Sequence, residues 1–345
     1  VASKTNWLAR MSSVFAANAP SDNDLRTAPI ISKLEIHNDN EGYVWIEVTV
    51  QTPANVKNAI DYFENHELGY NQAGYIGGIM LQYYKGWGGV VEIPDDLGIE
   101  YIGEYAFAHY NYAGVDFEGI AIRIPIGDRK EKGLYSTPIT KIIVPEGVKI
   151  IQNCAFMNLE YLEEVVLPST AKDIYVSAFE NCTSLEKINL NTINKIENYA
   201  FKNCKSLSNV NRDGAKYGND LSNVVTMGRE AFKSTALTKV DLVRFRMTTT
   251  GTFAECTNLK EVTLYKENPL CVDMFTNSAI EKITIPHSYI PTNAFANSGS
   301  IKEVVFTNEN VVIDEKAFIN CNNLQTIRFA DSCKSLTIGY NAFEN

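Results

Sequence analysis

A chain of 345 residues would fill two or three ordinary globular domains, but a repeat array escapes that rule because each unit packs only on its neighbours. A net charge of −10 argues against a non-specific nucleic-acid binder or a polybasic membrane-surface protein, both of which need clustered Lys and Arg to meet phosphates. No apolar run approaches the roughly 18 residues that span a bilayer as a helix.

Residues 1–29 read as a leader or linker, with a short helix expected over Asn6 to Ala17 and a polar run from Pro20 to Thr27. They lack the charged, apolar and small-residue succession of a secretory leader. Val1 in place of Met fits a chain whose leader has been removed, and a trimmed boundary would read the same. Residues 30–80 read as a small hairpin-helix module or cap. Leu34 to Val50 alternates apolar and polar residues on both sides of Asn38, Asp39, Asn40, Glu41 and Gly42, which predicts a hairpin with Val44, Ile46 and Val48 facing one way. Val56, Ile60 and Phe63 predict a helix over Ala54 to Leu68 that covers it. Gly69 to Trp87 gathers Tyr70, Tyr75, Tyr83, Tyr84 and Trp87. Those rings fit an exposed site for glycan or protein, or the closure of a solenoid's open end.

From Gly88 a repeat takes over. Its anchors are Phe107, Phe156, Phe179, Phe201, Phe232, Phe253, Phe275, Phe295, Phe318 and Phe343, most of them 20 to 25 residues apart. Five residues before most anchors stands an apolar residue such as Ile151, Ile174 or Ile196, and immediately before most of them stands Ala. Two residues after them Asn recurs at Asn158, Asn181, Asn203, Asn277, Asn297, Asn320 and Asn345. An amide at a repeated bend can bond its own turn and the next, so this column reads as structural, and the glycosylation acceptor Asn181-Cys182-Thr183 as accidental.

Seven cysteines contain no CxxC pair. Cys182, Cys204, Cys256 and Cys321 occupy one repeat slot, filled elsewhere by Leu159, Thr235, Ser278 and Ser298, which reads as buried thiols acting as small hydrophobes. Cys182 and Cys204, on neighbouring rungs, are the one pair in this slot placed to bridge. Each rung then ends in LxxVxL, as in Leu162, Val165, Leu167 and Leu185, Ile188, Leu190. At Leu237 to Leu242 and Ile280 to Ile285 this set arrives one residue early, a trimmed turn. The alternation predicts a short strand per rung and a parallel sheet along one face of a curved solenoid.

The pattern IxxxxAFxNCxxLxxVxLP in Ile151 to Pro168 and Ile174 to Leu190 resembles the BspA-type leucine-rich repeat. Tyr84 to Pro94 resembles the first rung of that family. The resemblance covers residues 81–345 and implies an α/β repeat: a right-handed solenoid with a parallel sheet on one face, here preceded by a small α+β module. It also implies a bacterial or protist cell-surface or secreted protein, a few members being adhesins. Insertions at about 111–137, with an additional strand expected at Ile120 to Pro125, and at 212–223 read as loops that either contact a partner or have merely drifted in length. The chain stops two residues after Phe343, which reads as a trimmed boundary or an abrupt end.

Positive support for chemistry is lacking. His37, His66, His109 and His287 are not spaced as ligands, there is no P-loop or nucleophile elbow, and adjacent carboxylates such as Glu163 and Glu164 point to opposite sides of a strand. No catalytic residue, metal or cofactor is expected. What remains is the exposed side of the sheet, where the candidate partner-binding residues are Lys141, Glu164, Lys187, Asn189, Asn209, Lys239, Asp241, Glu261, Lys282, Glu303 and Arg328. Their mixed signs fit a face that holds an extracellular protein or glycan, but cross-strand pairing between rungs produces the same pattern, and the lack of an aromatic anchor on this face favours pairing. The expected protein is therefore a non-enzymatic recognition or adhesion module, the alternative being a structural spacer that projects other domains.

Overall fold

The computed structural model describes residues 30–38, 43–51, 78–84, 89–104, 106–108, 138–211, 221, 223–242 and 249–345. The helices expected at 6–17 and 54–68, the strand at 120–125, the loop 111–137 and most of 212–223 lie outside them. So do Tyr70, Tyr75 and Trp87.

The repeat folds as a parallel-sheet solenoid, and three ladders of hydrogen bonds run along it. The LxxVxL segments form the main sheet. Gly89–Glu92, Ile139–Ile143, Glu164–Val166 and Lys187–Ile188 pair in parallel, as do Lys239–Asp241 with Glu261–Thr263, and Lys282–Ile285 with Glu303–Phe306 and Thr326–Phe329. The apolar residue five before most anchors ends a shorter strand of a second sheet, in which Tyr101–Ile102, Ile150–Ile151, Asp173–Ile174, Lys195–Ile196 and Thr226–Met227 follow one another. The third ladder is the Ala-Phe turn. The N–H of Phe179 donates to the carbonyl of Ala200 at 2.8 Å, and the same bond joins Phe156 to Ala178 and Phe295 to Ala317.

This third ladder stands where an α/β repeat would place a helix, and the described residues contain one three-residue 3-10 helix, Asp95–Leu97, and no α-helix. The reason is local. Each turn holds two residues in the left-handed region, two before and two after the Phe: Ser177 (φ 54°) and Asn181 (φ 62°) flank Phe179, and Cys154 (55°) and Asn158 (63°) flank Phe156. Such residues break a helix after a few positions. The freed N–H groups then bond the next rung, not a carbonyl four residues back.

Inside, the Phe rings form a continuous stack. Neighbours from Phe107 to Phe343 lie 5.0 to 5.9 Å apart between centroids, with Phe179 and Phe201 inclined by only 3°. Those from Phe107 to Phe318 are fully buried. Burial of each such ring contributes about 1.5–3 kcal/mol and offset stacking about 0.5–1.5 kcal/mol more. Phe107 stacks directly on Phe156, and Gly89–Glu92 pairs directly with Ile139–Ile143. The first insertion therefore adds no rung to the ladder. The same holds for the second, since Phe201 stacks on Phe232 at 5.1 Å.

The expected hairpin is present as Ile30–Asn38 paired with Tyr43–Gln51. Tyr43–Gln51 pairs in turn with Gly78–Tyr84, whose Met80 and Leu81 pair in parallel with Tyr101 and Ile102. The hairpin thus continues the second sheet, and a boundary between residues 80 and 81 falls inside a strand.

Candidate functional site

The main strands carry the sequence-derived candidates on their outer side. Buried positions alternate with them, as in Lys282–Ile285, where Ile283 and Ile285 are buried and Lys282 and Thr284 exposed. In-register parallel pairing then brings each outward side chain against its counterpart one rung on. Glu164 sits between Lys141 (3.0 Å) and Lys187 (3.8 Å), Lys239 meets Glu261 at 2.9 Å, and Glu303 sits between Lys282 (2.8 Å) and Arg328 (3.5 Å). Lys282 donates to Glu303 and holds its carboxyl below the usual range, while Glu261 raises Lys239. Cross-rung pairing is thus present, and the face is a mosaic of compensated charge. Such exposed pairs add little stability and are screened by salt.

The remaining candidates are held differently. Asn189 brackets Leu167: its Nδ2 donates to the Leu167 carbonyl (2.8 Å) and its Oδ1 accepts from the Leu167 N–H (2.7 Å). Its amide therefore extends the sheet sideways. Asn209 bridges to Lys187 through the backbone, and its Oδ1 accepts from Asn211 N–H at 2.9 Å. Asp241 is half-buried, and its charge raises the neighbouring Tyr265 hydroxyl, after the burial of that hydroxyl itself.

The thiols of one repeat slot are committed inward. Cys182, Cys204, Cys256 and Cys321 are free and fully buried, and each Sγ faces the carbonyl of the Phe one rung earlier, Cys182 to Phe156 at 3.1 Å. Burial pushes Cys182 up to about 12 and Cys256 and Cys321 up to about 11. None is a thiolate nucleophile. Ser298 replaces a thiol in this slot and donates to Phe275 O at 2.9 Å. At most rungs the slot thus holds a small donor, Leu159 being an exception. The Asn column forms a side-chain ladder in which Asn181 donates to Asn158 and Asn203 to Asn181, each at 2.9 Å.

A profile of the BspA type leucine rich repeat region matches residues 130–242, 218–298 and 288–345 in six copies, more than half of the chain. The chain belongs to the BspA-type leucine-rich repeat family. Solved structures of similar chain path include a leucine-rich repeat protein from Bacteroides ovatus (19% identity, 91% of this chain and 79% of that one, TM-score 0.43). Others are the T. pallidum leucine-rich repeat protein (20%, 74% and 87%, 0.42) and the pneumococcal vaccine antigen PcpA (15%, 89% and 82%, 0.48). Comparison with curated sequences gives no match.

Within this BspA-type repeat, one feature escaped the sequence reading. On the turn side, beside the Asn column, an open notch of about 690 Å³ lies across the rungs of Phe253, Phe275 and Phe295. Its floor is Ser278 and Ala279, in the turn that delivers Ile280 one residue early, and fuller turns wall it with Thr257 on one side and Ser300 on the other. The signal was present in the sequence as the trimmed turn. Its spatial meaning needed the neighbouring turns in place.

Proposed function

We propose that this chain is a non-enzymatic recognition module, secreted or held at a cell surface, that binds an extracellular protein or glycan and has no role with nucleic acid. The observation that carries the reading is a division within each main strand. Inward positions of the described main strands are Val, Ile, Leu or Phe, whereas outward positions change from rung to rung through Lys, Ile, Glu, Val, Asn, Asp, Thr and Arg. The inward columns, thiols included, are spent on packing, and the variable surface is the part free to discriminate partners. Membership in the repeat family supports the same reading, and no helix of the described residues is long and apolar enough to cross a membrane. The compensated mosaic of the sheet face suits a partner with alternating charge better than a polyanion.

The test is binding of the folded protein to matrix proteins, mucins and glycans, with Lys239→Ala, Lys282→Ala and Arg328→Ala combined as the probe of the sheet face. Binding reduced by that triple variant supports the reading. A folded chain that retains no member of any of these classes overturns it.

The rung-to-rung ion pairs favour a second reading, a spacer whose charges serve its own stacking. Under it, the triple variant changes no binding readout, and removal of whole rungs changes only the reach of attached domains.

A further inference from the structure

The geometry points to a binding site for a neutral saccharide in the notch between the turns at Thr257 and Ser300, on the side of the solenoid defined by the Asn column. The inference rests on the recognition reading for its ligand class, but places the contact away from the sheet face.

Three observations carry it. The first is a break in the amide ladder. Asn181 bonds both Asn158 and Asn203, and Asn320 donates to Asn297 at 2.8 Å, but Asn277 and Asn297 do not bond each other. The side chain of Asn277 and Nδ2 of Asn297 have no hydrogen-bond partner among the described residues, and both residues line the notch. A donor-acceptor pair and a further donor are thereby left facing open space, whereas Asn158, Asn181 and Asn203 are joined side chain to side chain.

The second is the lining chemistry. Thr257 and Ser300 add two hydroxyls without side-chain partners among the described residues, while the Asn323 amide donates to the Gly299 carbonyl (2.6 Å) and fixes that wall. The carboxylate in the lining, Glu255, is already answered by Lys233 at 3.3 Å and by the Ser234 hydroxyl at 2.8 Å. No net field is left to select an ion. Ala279 supplies the apolar contact, so a peptide side chain or an acyl chain would gain little there. A ring bearing several hydroxyls, each donor and acceptor at once, matches two amides and two hydroxyls.

The third is shape. The recess exists because the turn carrying Ala279 is one residue shorter than those carrying Thr257 and Ser300, and Gly299, which has open space about its Cα, leaves the rim unobstructed. The recess is wide and shallow and stays open to solvent, so a sugar ring would be held along one edge only. Without an aromatic platform a single sugar is held weakly, and retention of a polymer relies on repeated engagement.

The experiment is retention of the full chain on an array of neutral oligosaccharides, compared with Asn277→Gly, with Thr257→Ala combined with Ser300→Ala, and with Lys239→Ala combined with Lys282→Ala. Glycine preserves the left-handed backbone at 277 (φ 59°), and the hydroxyl pair is on the surface, so melting temperature serves as the folding control. The expected result is at least about tenfold weaker retention for both notch variants, the loss of roughly one hydrogen bond each, with the sheet-face pair unchanged. Retention by wild type that both notch variants preserve overturns the notch and leaves the recognition reading standing. So does binding confined to protein ligands.

Discussion

The thiol of Cys182 lies 3.1 Å from the carbonyl oxygen of Phe156, one rung earlier, and the same relation joins Cys204 to Phe179. Each of these carbonyls also accepts a backbone N–H of its own turn, Leu159 N–H at 3.4 Å for Phe156 and Cys182 N–H at 3.1 Å for Phe179, so the thiol supplies a second bond to the carbonyl and the slot has a polar role as well as a steric one. Cys182→Ser is expected to keep this second bond and Cys182→Val to lose it, leaving the valine variant about 0.5–1.5 kcal/mol less stable than the serine variant. Urea unfolding checks the order, and a valine variant as stable as serine would refute the donor role.

Thiol labelling follows from the same burial. At pH 8 the half-buried Cys154, Cys271 and Cys333 are expected to react in the native protein. Cys182, Cys204, Cys256 and Cys321 should wait for denaturant. Counting labelled cysteines by mass before and after unfolding decides the matter.

The amide ladder makes a graded prediction. Asn181 is left-handed (φ 62°) and bonded on both sides. Asn181→Gly keeps the backbone and loses two bonds, for about 1–3 kcal/mol, whereas Asn181→Ala adds about 1–2 kcal/mol of left-handed strain. Equal losses for the two variants would show that strain plays no part.

Gly228 is constrained by approach, not by dihedral angle. A Cβ there would fall 2.2 Å from Asn198 N and 2.5 Å from the Glu197 carbonyl carbon, both backbone atoms of the preceding rung. Gly228→Ala is expected to cost more than about 3 kcal/mol, an effect of overpacking against backbone that cannot yield. Gly299→Ala, with nothing within 4 Å, serves as the neutral comparison in the same thermal melts.

Acid should act through His287, 8% exposed, whose Nε2 meets the Asn268 carbonyl and whose Nδ1 has no partner among the described residues. Burial lowers its pKa from 6.5 despite the opposing pull of that carbonyl. The unfolded chain therefore binds the proton first. Stability from the neutral ring is complete above about pH 6.5 and declines as pH falls below it toward the folded value. His287→Gln should lose less melting temperature than wild type between about pH 6.5 and 5. Parallel curves for the two would clear His287.

Much of this was legible in the chain. Phe, Ala, Asn and LxxVxL each recur at fixed offsets because each is read by an identical neighbour one rung away. The left-handed residue before each Ala was not legible, since Ser177, Tyr199, Glu230 and Lys316 share a backbone angle and no chemistry. That unseen column is also why no helix forms where the resemblance implied one. On the sheet face the sequence leaned toward pairing, for want of an aromatic anchor, without excluding recognition. Lys141, Glu164 and Lys187 form the pairs, but pairing alone does not say what a partner would touch, because the same side chains would serve both.

The spacing of the bonds has a further consequence. Asn181 reaches Asn158 across 23 residues, Cys182 reaches the carbonyl of Phe156 across 26, and Thr170 bonds Val148 across 22. Every such link joins a residue to the equivalent region of the adjacent turn, and none among these skips one. Duplicating or excising one complete period would therefore return each atom a partner of the same kind. Length in such a molecule is a heritable dial: gene segments one turn long can be gained or lost while the fold stays intact, and the reach of the exposed faces grows or shrinks with them.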